Sequence, residues 1–314
     1  MTKYYLGIDT SAYTTSIGIV DQDNNIVCNE RKLLEVKRGN RGLRQQEAIF
    51  QHMLNFPELM ENISNAVDLK KIVSVSASTK PRDREDSYMP VFLFGEGQAV
   101  LISKLLGVKY SSCSHQEGHI GSILIADERP GAFLAVHISG GTTEILKVEN
   151  DGKLKIDIVG GTKDISIGQL VDRAGVKLGL KFPAGKELDS YSVKGEVLGI
   201  KLSKSIDGTW INLSGVETEL YRAIDSGEHS VEDISKTIFE YVSKVLEELL
   251  LNAVEKTGIK RVYMVGGVSS NSTVRSRITD YGDRSGIEIL FPGAELSTDN
   301  GVGVAYMGKR EMER

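Results

Sequence analysis

Two stretches of this chain repeat one pattern: a short β-prone run, a turn of small polar residues, and a second β-prone run. Tyr4-Tyr5-Leu6-Gly7-Ile8 leads into a polar turn over residues 9–15, and Ser16-Ile17-Gly18-Ile19-Val20 alternates again. Residues 21–25 have turn chemistry, and Ile26-Val27-Cys28 reads as a third short strand. The same order returns with a strand over 133–138, the turn Ser139-Gly140-Gly141-Thr142-Thr143, a strand over 144–148, a turn over 150–152 and a strand over 154–159. Matching Ile8-Asp9 and Thr14-Thr15-Ser16-Ile17 with Ile138-Ser139 and Thr142-Thr143-Glu144-Ile145 gives an internal period of about 130 residues, too long for a solenoid repeat. A duplicated β-meander of this kind predicts two related halves facing each other. The length of 314 residues agrees with about two domains.

Helices fill the intervals. Residues 40–66 carry Ala48, Phe50, Met53 and Leu54 at helical spacing, with Pro57 expected to interrupt the helix. Residues 95–106 carry Ala99, Val100, Ile102, Leu105 and Leu106 and stop near Gly107. The clearest helix covers 231–257: Ser230 and Asp233 open it, Ile234, Ile238, Val242, Val245, Leu249 and Ala253 recur along it, and Gly258 ends it. Arg261-Val262-Tyr263-Met264-Val265 then reads as a buried strand running into Gly266-Gly267. Strand after helix with a glycine-rich end indicates a layered α/β domain. The expected division is a first domain of residues 1–129 plus 299–314 and a second of residues 130–298.

Composition excludes several classes. Hydrophobic residues at 40% and charged residues at 26% are globular values, and no apolar run approaches the ~20 residues of a membrane span. The N-terminus reaches Asp9 before a signal-peptide core could form, and Cys28 and Cys113 alone make no disulfide framework, so a cytoplasmic location is expected. With 38 Lys plus Arg against 43 Asp plus Glu, the net charge of −5 means that any nucleic acid must be held locally or through a partner. Arg31, Lys32, Lys37, Arg38, Arg41 and Arg44 form a local basic stretch with two open readings: contact with nucleic-acid phosphates, or a solvated loop flanked by Glu30, Glu35 and Glu47. Residues 80–85 read as a charged surface loop.

Candidate chemistry lies in three turns and one pair. Ser139-Gly140-Gly141-Thr142-Thr143, Gly266-Gly267-Val268-Ser269-Ser270-Asn271 and Ser297-Thr298-Asp299-Asn300-Gly301 follow predicted strands, where small residues let backbone N–H groups approach phosphate oxygens. None carries the P-loop lysine or a G-x-G-x-x-G. Each alone reads as a tight turn; three together, with the duplication, imply a nucleotide cleft between the two halves. His115 and His119 stand at i and i+4, which on a helix puts both imidazoles on one face within reach of one metal ion. The metalloprotease motif needs Glu directly after the first His, where this chain has Gln116. Asp299 is the strongest candidate for a third ligand, and two His with one carboxylate suit Fe(II) or Zn(II) with open positions.

The chain resembles the TsaD-like tRNA threonylcarbamoyladenosine biosynthesis transferases (the Gcp or O-sialoglycoprotein endopeptidase-like family), members of the actin/hexokinase/Hsp70-like ATPase fold. The matching residues span nearly the whole length. They are Gly7-Ile8-Asp9-Thr10-Ser11, the His115/His119 pair, Ile138-Ser139-Gly140-Gly141-Thr142, Asp172-Arg173, Leu178-Gly179-Leu180 to Pro183-Ala184-Gly185, Leu213-Ser214-Gly215, Val265 to Asn271, and Ser297 to Gly301. The resemblance implies an α/β fold of two duplicated domains about a central cleft. It also implies transfer of a threonylcarbamoyl group from its adenylate to N6 of adenosine 37 in tRNAs reading codons that begin with A. It places a metal, Fe(II) or Zn(II), on His115, His119 and Asp299. It places adenylate or ATP on His137, Ile138, Ser139, Gly140 and Gly141, with Asp172, Gly185 and Asp189 around the ribose and Asn271 near the base. A smaller paralogous subunit and an ATPase accessory protein are the implied partners.

The sequence also departs from that family. Where the family's first turn carries acidic residues thought to help the acyl transfer, this chain has Ala12, Tyr13 and Thr14. Its Gly-Pro-Gly loop is replaced by Lys80-Pro81-Arg82-Asp83-Arg84-Glu85, and Asp-Asp-Ala-Ala-Gly-Glu becomes Asp164-Ile165-Ser166-Ile167-Gly168-Gln169. Three readings stay open: the tRNA transferase; a divergent nucleotide- and metal-binding paralogue acting as a carbamoyltransferase on another acceptor or as a regulatory scaffold; and a sugar-kinase-like ATPase on the same fold. Catalytic residues are not assigned from the sequence.

Overall fold

The computed structural model describes residues 2–37, 42–127, 129, 131–151 and 153–313. In chain order the elements are β1 (Tyr4–Thr10), β2 (Thr14–Asp21), β3 (Ile26–Leu33), α1 (Gln45–Ala66), β4 (Ile72–Lys80), α2 (Val91–Leu106), β5 (Lys109–Ser114) and α3 (His115–Ala126). There follow β6 (Gly131–Ile138), β7 (Thr143–Asp151), β8 (Lys153–Thr162), α4 (Ile167–Lys177), α5 (Gly185–Ser192), β9 (Ser205–Asp207), β10 (Trp210–Asn212), α6 (Ser214–Asp225) and α7 (Val231–Thr257). The chain ends with β11 (Arg261–Val265), α8 (Ser272–Ser285), β12 (Glu288–Leu290), α9 (Ala294–Ser297) and α10 (Gly301–Met312). Two compact units result. The first holds the described residues of Met1–Glu35, Leu43–Arg129 and Thr298–Arg314, and the second those of Val36–Gly42 and Pro130–Ser297.

The first unit carries a five-stranded sheet in the order β3-β2-β1-β4-β5. β1 and β2 are covered on both faces and read as near-continuous buried runs, whereas β3, at the edge, exposes Arg31, Lys32 and Leu33. The second unit carries the order β12-β11-β6-β7-β8-β10-β9, whose first five strands repeat the same arrangement with β10 and β9 added at the edge. In both, the first strand of the meander pairs antiparallel with the second and parallel with a strand reached through a helical crossover. Register refines the duplication. Asp9 faces Ser16 and Ile8 faces Ile17, as His137 faces Glu144 and Val136 faces Ile145, an offset of 128 residues on both strands. Asp9 therefore corresponds to His137, and not to Ser139 as the sequence match had it.

Helix α7 forms as its sequence predicts. The Ser230 hydroxyl accepts from Asp233 N–H at 3.1 Å, Gly258 takes the left-handed conformation that ends it (φ 71), and Ile238, Val242, Val245 and Leu249 belong to the same buried core as Leu134, Val136 and Ile138 of β6. Helix α1 differs from expectation in two ways. It runs through Pro57, which lies on the exposed face where water can take the unpaired carbonyl one turn back. Its inward residues are Ala48, His52, Asn55, Phe56, Leu59 and Ile63, while Phe50, Met53 and Leu54 are exposed. Helix α2 likewise buries Gly95, Ala99 and Ser103 and exposes Val100 and Leu105. Among the described residues no helix is long and apolar enough to cross a membrane.

Candidate functional site

Glycine decides where the first unit's chemistry sits. α3 and α10 cross backbone to backbone: a Cβ on Gly303 would stand 1.9 Å from the Gly118 carbonyl oxygen, and one on Gly121 2.3 Å from the Gly303 carbonyl oxygen. α10 also lies directly on the β1–β2 hairpin, where a Cβ on Gly301 would meet Gly18 N at 2.3 Å and Gly7 O at 2.6 Å. Asn300 caps α10 by accepting from Gly303 N–H at 3.0 Å, and its side-chain oxygen also accepts from the Ser122 hydroxyl of α3 at 3.2 Å. The residue just before this cap, Asp299, is thereby brought to the start of α3.

At that start Ser114 caps the helix, and Glu117 closes a reciprocal capping box by accepting from Ser114 N–H at 2.7 Å. Glu117 is thus occupied structurally. His115 and His119 converge, with their Nε2 atoms 3.1 Å apart. Asp299 Oδ1 lies 3.5 Å from His115 Nε2 and 3.4 Å from His119 Nε2. His119 is 3% exposed. Burial opposes a charge on His115, but the Asp9 carboxylate beside it and then Asp299 lift its pKa well above the ordinary histidine value. Burial likewise opposes charge on Asp299, and the two imidazoles, His115 foremost, hold its carboxyl well below the usual range.

Sequence reasoning missed three residues around this trio. Asp9 lies inside β1 rather than in the turn, fully buried, and its Oδ1 accepts from His115 Nδ1 at 2.9 Å and from the Ser78 hydroxyl. Ser11 donates its hydroxyl to Asp299 Oδ2 at 2.5 Å. His52 of α1, fully buried, joins Thr15 Oγ1 at 2.8 Å and the Ser11 carbonyl at 3.0 Å; burial pushes its pKa down. The available signal for His52 was the 48-52-55-59-63 spacing, which a count of apolar residues overlooks because His and Asn occupy two of its positions.

In the second unit the predicted adenylate residues gather through local contacts. Ser139 N–H donates to Thr142 O at 2.8 Å and closes the turn, and a Cβ on Gly141 would face open space. The segment 164–169 forms the start of α4: Ser166 caps it and donates to Gly140 O at 3.0 Å, and a Cβ on Gly168 would stand 2.1 Å from Ser139 O. Asp172 of α4 accepts from Ala184 N–H at 2.8 Å just before Gly185, and burial raises its pKa to about 6 against the pull of those backbone donors. Asp189 accepts from Ser272 N–H and its hydroxyl, at 3.1 and 2.7 Å, next to Asn271. Asn271 Oδ1 caps α8 by accepting from Val274 N–H at 2.9 Å, and its Nδ2 is buried without a hydrogen-bond partner. The Ile138 side chain is fully buried in the core, so that residue offers backbone only, while His137 lies on the opposite face of β6 and is 3% exposed.

The basic stretch is partly paired. Arg31 donates to Thr298 Oγ1, Lys32 pairs with Glu58 at 2.6 Å, and Arg44 precedes α1; Arg38 and Arg41 lie outside the described residues. In the loop 80–85, Lys80 pairs with Asp83 at 2.7 Å.

A family model described as "TsaD: tRNA N6-adenosine threonylcarbamoyltransferase" matches residues 89–306. The chain belongs to this family. Relatives carrying that name include one from Thermotoga neapolitana, 29% identical over 98% of this chain and 94% of its own length. Another from a Sulfurihydrogenibium species is 31% identical over 98% and 90%. Among solved structures, HypF of T. kodakarensis superposes with a TM-score of 0.66 at 15% identity, covering 98% of this chain and 48% of that one. Component A of (R)-2-hydroxyglutaryl-CoA dehydratase from Acidaminococcus fermentans gives 0.56 at 17%, covering 99% and 100%. These likenesses show that the chain shares the α/β fold of those proteins, here with two related sheets.

Proposed function

We propose that this family member transfers a threonylcarbamoyl group from threonylcarbamoyl adenylate to N6 of adenosine 37 in tRNAs that read A-starting codons. In this reading a divalent ion, Fe(II) or Zn(II), is held by His115, His119 and Asp299, and the adenylate by the second unit. The spacing of the donor trio carries the metal reading. An ion about 2.1 Å from each donor, at angles of roughly 90–115°, separates its donors by about 3.0–3.5 Å; the observed separations are 3.1, 3.4 and 3.5 Å. When bound, such an ion supplies Lewis-acid polarisation of a substrate oxygen. For the adenylate, Ser139, Gly140 and Gly141 offer backbone donors to phosphate, and Asp172 and Asp189 offer acceptors to ribose hydroxyls. The unpartnered Asn271 Nδ2 has the polarity to meet a base or sugar acceptor. A cytoplasmic setting, a smaller paralogous subunit and an ATPase accessory protein belong to the same reading. Incubating the chain and those partners with metal, threonylcarbamoyl adenylate and tRNA is expected to yield the modified nucleoside; no product with metal bound contradicts the proposal.

One observation favours a second reading, a paralogue serving another acceptor: Ala12, Tyr13 and Thr14 place no carboxylate in the β1–β2 turn. That reading expects Tyr13→Asp with Thr14→Glu to raise tRNA modification while nucleotide affinity stays unchanged. Full activity of the unaltered chain excludes it.

A further inference from the structure

The donor trio is held in place from outside. His115 is the first residue of α3, and Asp299 sits in an irregular segment between α9 and α10, so neither position is set by the middle of a regular element. Both are gripped by the same short piece of chain. Asp9, fully buried, accepts the His115 Nδ1 proton at 2.9 Å; Ser11, 3% exposed, donates to Asp299 Oδ2 at 2.5 Å. Asp9 is fixed in turn by the Ser78 hydroxyl of β4, and Ser11 by its backbone N–H to Thr14 O at 3.2 Å. Residues two apart at a strand end project to the same side, which is how the end of β1 serves ligands from two different parts of the chain, the start of α3 and the segment before α10. The Asp9 Oδ2 atom is buried with no hydrogen-bond partner. A buried carboxylate with an unsatisfied oxygen is costly, and such atoms persist where a site requires them.

We infer that Asp9 and Ser11 are the positioning residues of the metal site. Asp9 fixes the His115 ring with Nδ1 as donor, which leaves Nε2 as the ligand atom. Ser11 turns Asp299 so that Oδ1 faces the imidazoles while Oδ2 is held away. This rests on the metal reading above and deepens it. Outer partners of this type change metal affinity by about 10- to 100-fold when removed.

The test uses the full chain, with Zn(II) and Co(II) affinities read by competition against a chromophoric chelator and the unfolding of the metal-free protein as a fold control. Asp9→Asn, which keeps size and an acceptor oxygen, is expected to weaken binding about 10- to 100-fold, and Ser11→Ala about tenfold, at the lower end of the same range. Both are expected to alter the Co(II) absorption spectrum and to leave the metal-free protein folded. Because each acts through one ligand, Asp9→Asn adds no further loss in a His115→Ala background, nor Ser11→Ala in an Asp299→Ala background. A structural role alone would add its loss in every background. A variant that binds within twofold of wild type overturns the inference for that residue, and should Asp9→Asn not fold, Ser11→Ala decides. A wild-type chain that takes up no metal instead overturns the metal reading itself.

Discussion

The β1–β2 and β6–β7 turns are built alike and used differently. Each closes with a backbone hydrogen bond from a serine N–H to the carbonyl three residues on, Ser11 to Thr14 at 3.2 Å and Ser139 to Thr142 at 2.8 Å, and the strands around them share one register. In the first unit the positions carry Asp9 and Ser11, whose side chains reach His115 and Asp299. In the second unit the turn carries Gly140 and Gly141, and the backbone itself is on offer, with α4 brought against it through Gly168. One scaffold thus works through side chains in one copy, where Asp9 and Ser11 hold His115 and Asp299, and through bare peptide groups in the other, whose N–H groups suit an anion.

Glycine substitutions separate the two uses most sharply. Gly303→Ala puts a methyl group against the Gly118 carbonyl. It is expected to destabilise the chain by about 3 kcal/mol and to abolish metal uptake by moving α10 from α3. Denaturant unfolding and metal titration check it; a variant as stable and metal-competent as wild type breaks the comparison.

The second unit has its own signature in pH. Asp172 has a native pKa of about 6, above the unfolded value, so the native state holds the proton more tightly. Stability therefore falls as pH rises from about 4 to about 6, by roughly 2–3 kcal/mol, and Asp172→Asn is expected to remove that fall. Urea unfolding at the two ends of the range measures it; an unchanged slope in the variant contradicts the assignment.

In the first unit the signs differ. The raised pKa of His115 contributes stability to the metal-free protein below about pH 6.5 that is lost as pH rises through its native value. The depressed pKa of Asp299 contributes stability above about pH 4 that is lost on acidification. A metal ion must displace the His115 proton, so affinity is expected to strengthen with pH by about tenfold per unit until that proton is gone. A pH-independent affinity in chelator competition would show that His115 is not a ligand. The smallest expected effect is on stability in Gly141→Ala, within about 0.5 kcal/mol because its Cβ meets open space, while nucleotide affinity falls.

Much of this arrangement was legible in the sequence where apolar spacing and punctuation agree. α7 carries its cap, its buried stripe and its terminal glycine in plain order, and β11 its apolar run. The i, i+4 histidines do share one face. Legibility failed where polar groups are buried. His52 and Asn55 hide the inward face of α1, and the exposed Phe50, Met53 and Leu54 imitate one. Asp9 read as a turn residue because its carboxylate has no place in a buried strand until His115 and Ser78, over 60 residues on, supply its partners. The repeat was visible, but its register waited on strand pairing: the two-residue difference between Ser139 and His137 as the partner of Asp9 keeps every side chain on its own face, so the alternation of the sequence does not reveal it.

The central claim is that His115, His119 and Asp299 close on one ion. Metal analysis of the purified chain after loading with Zn(II), beside His115→Ala and Asp299→Ala, measures it directly. The account predicts one ion per wild-type chain and a loss of at least 100-fold in affinity in each variant, with nucleotide binding retained. Equal metal content in all three proteins, or none in the wild type, would contradict it.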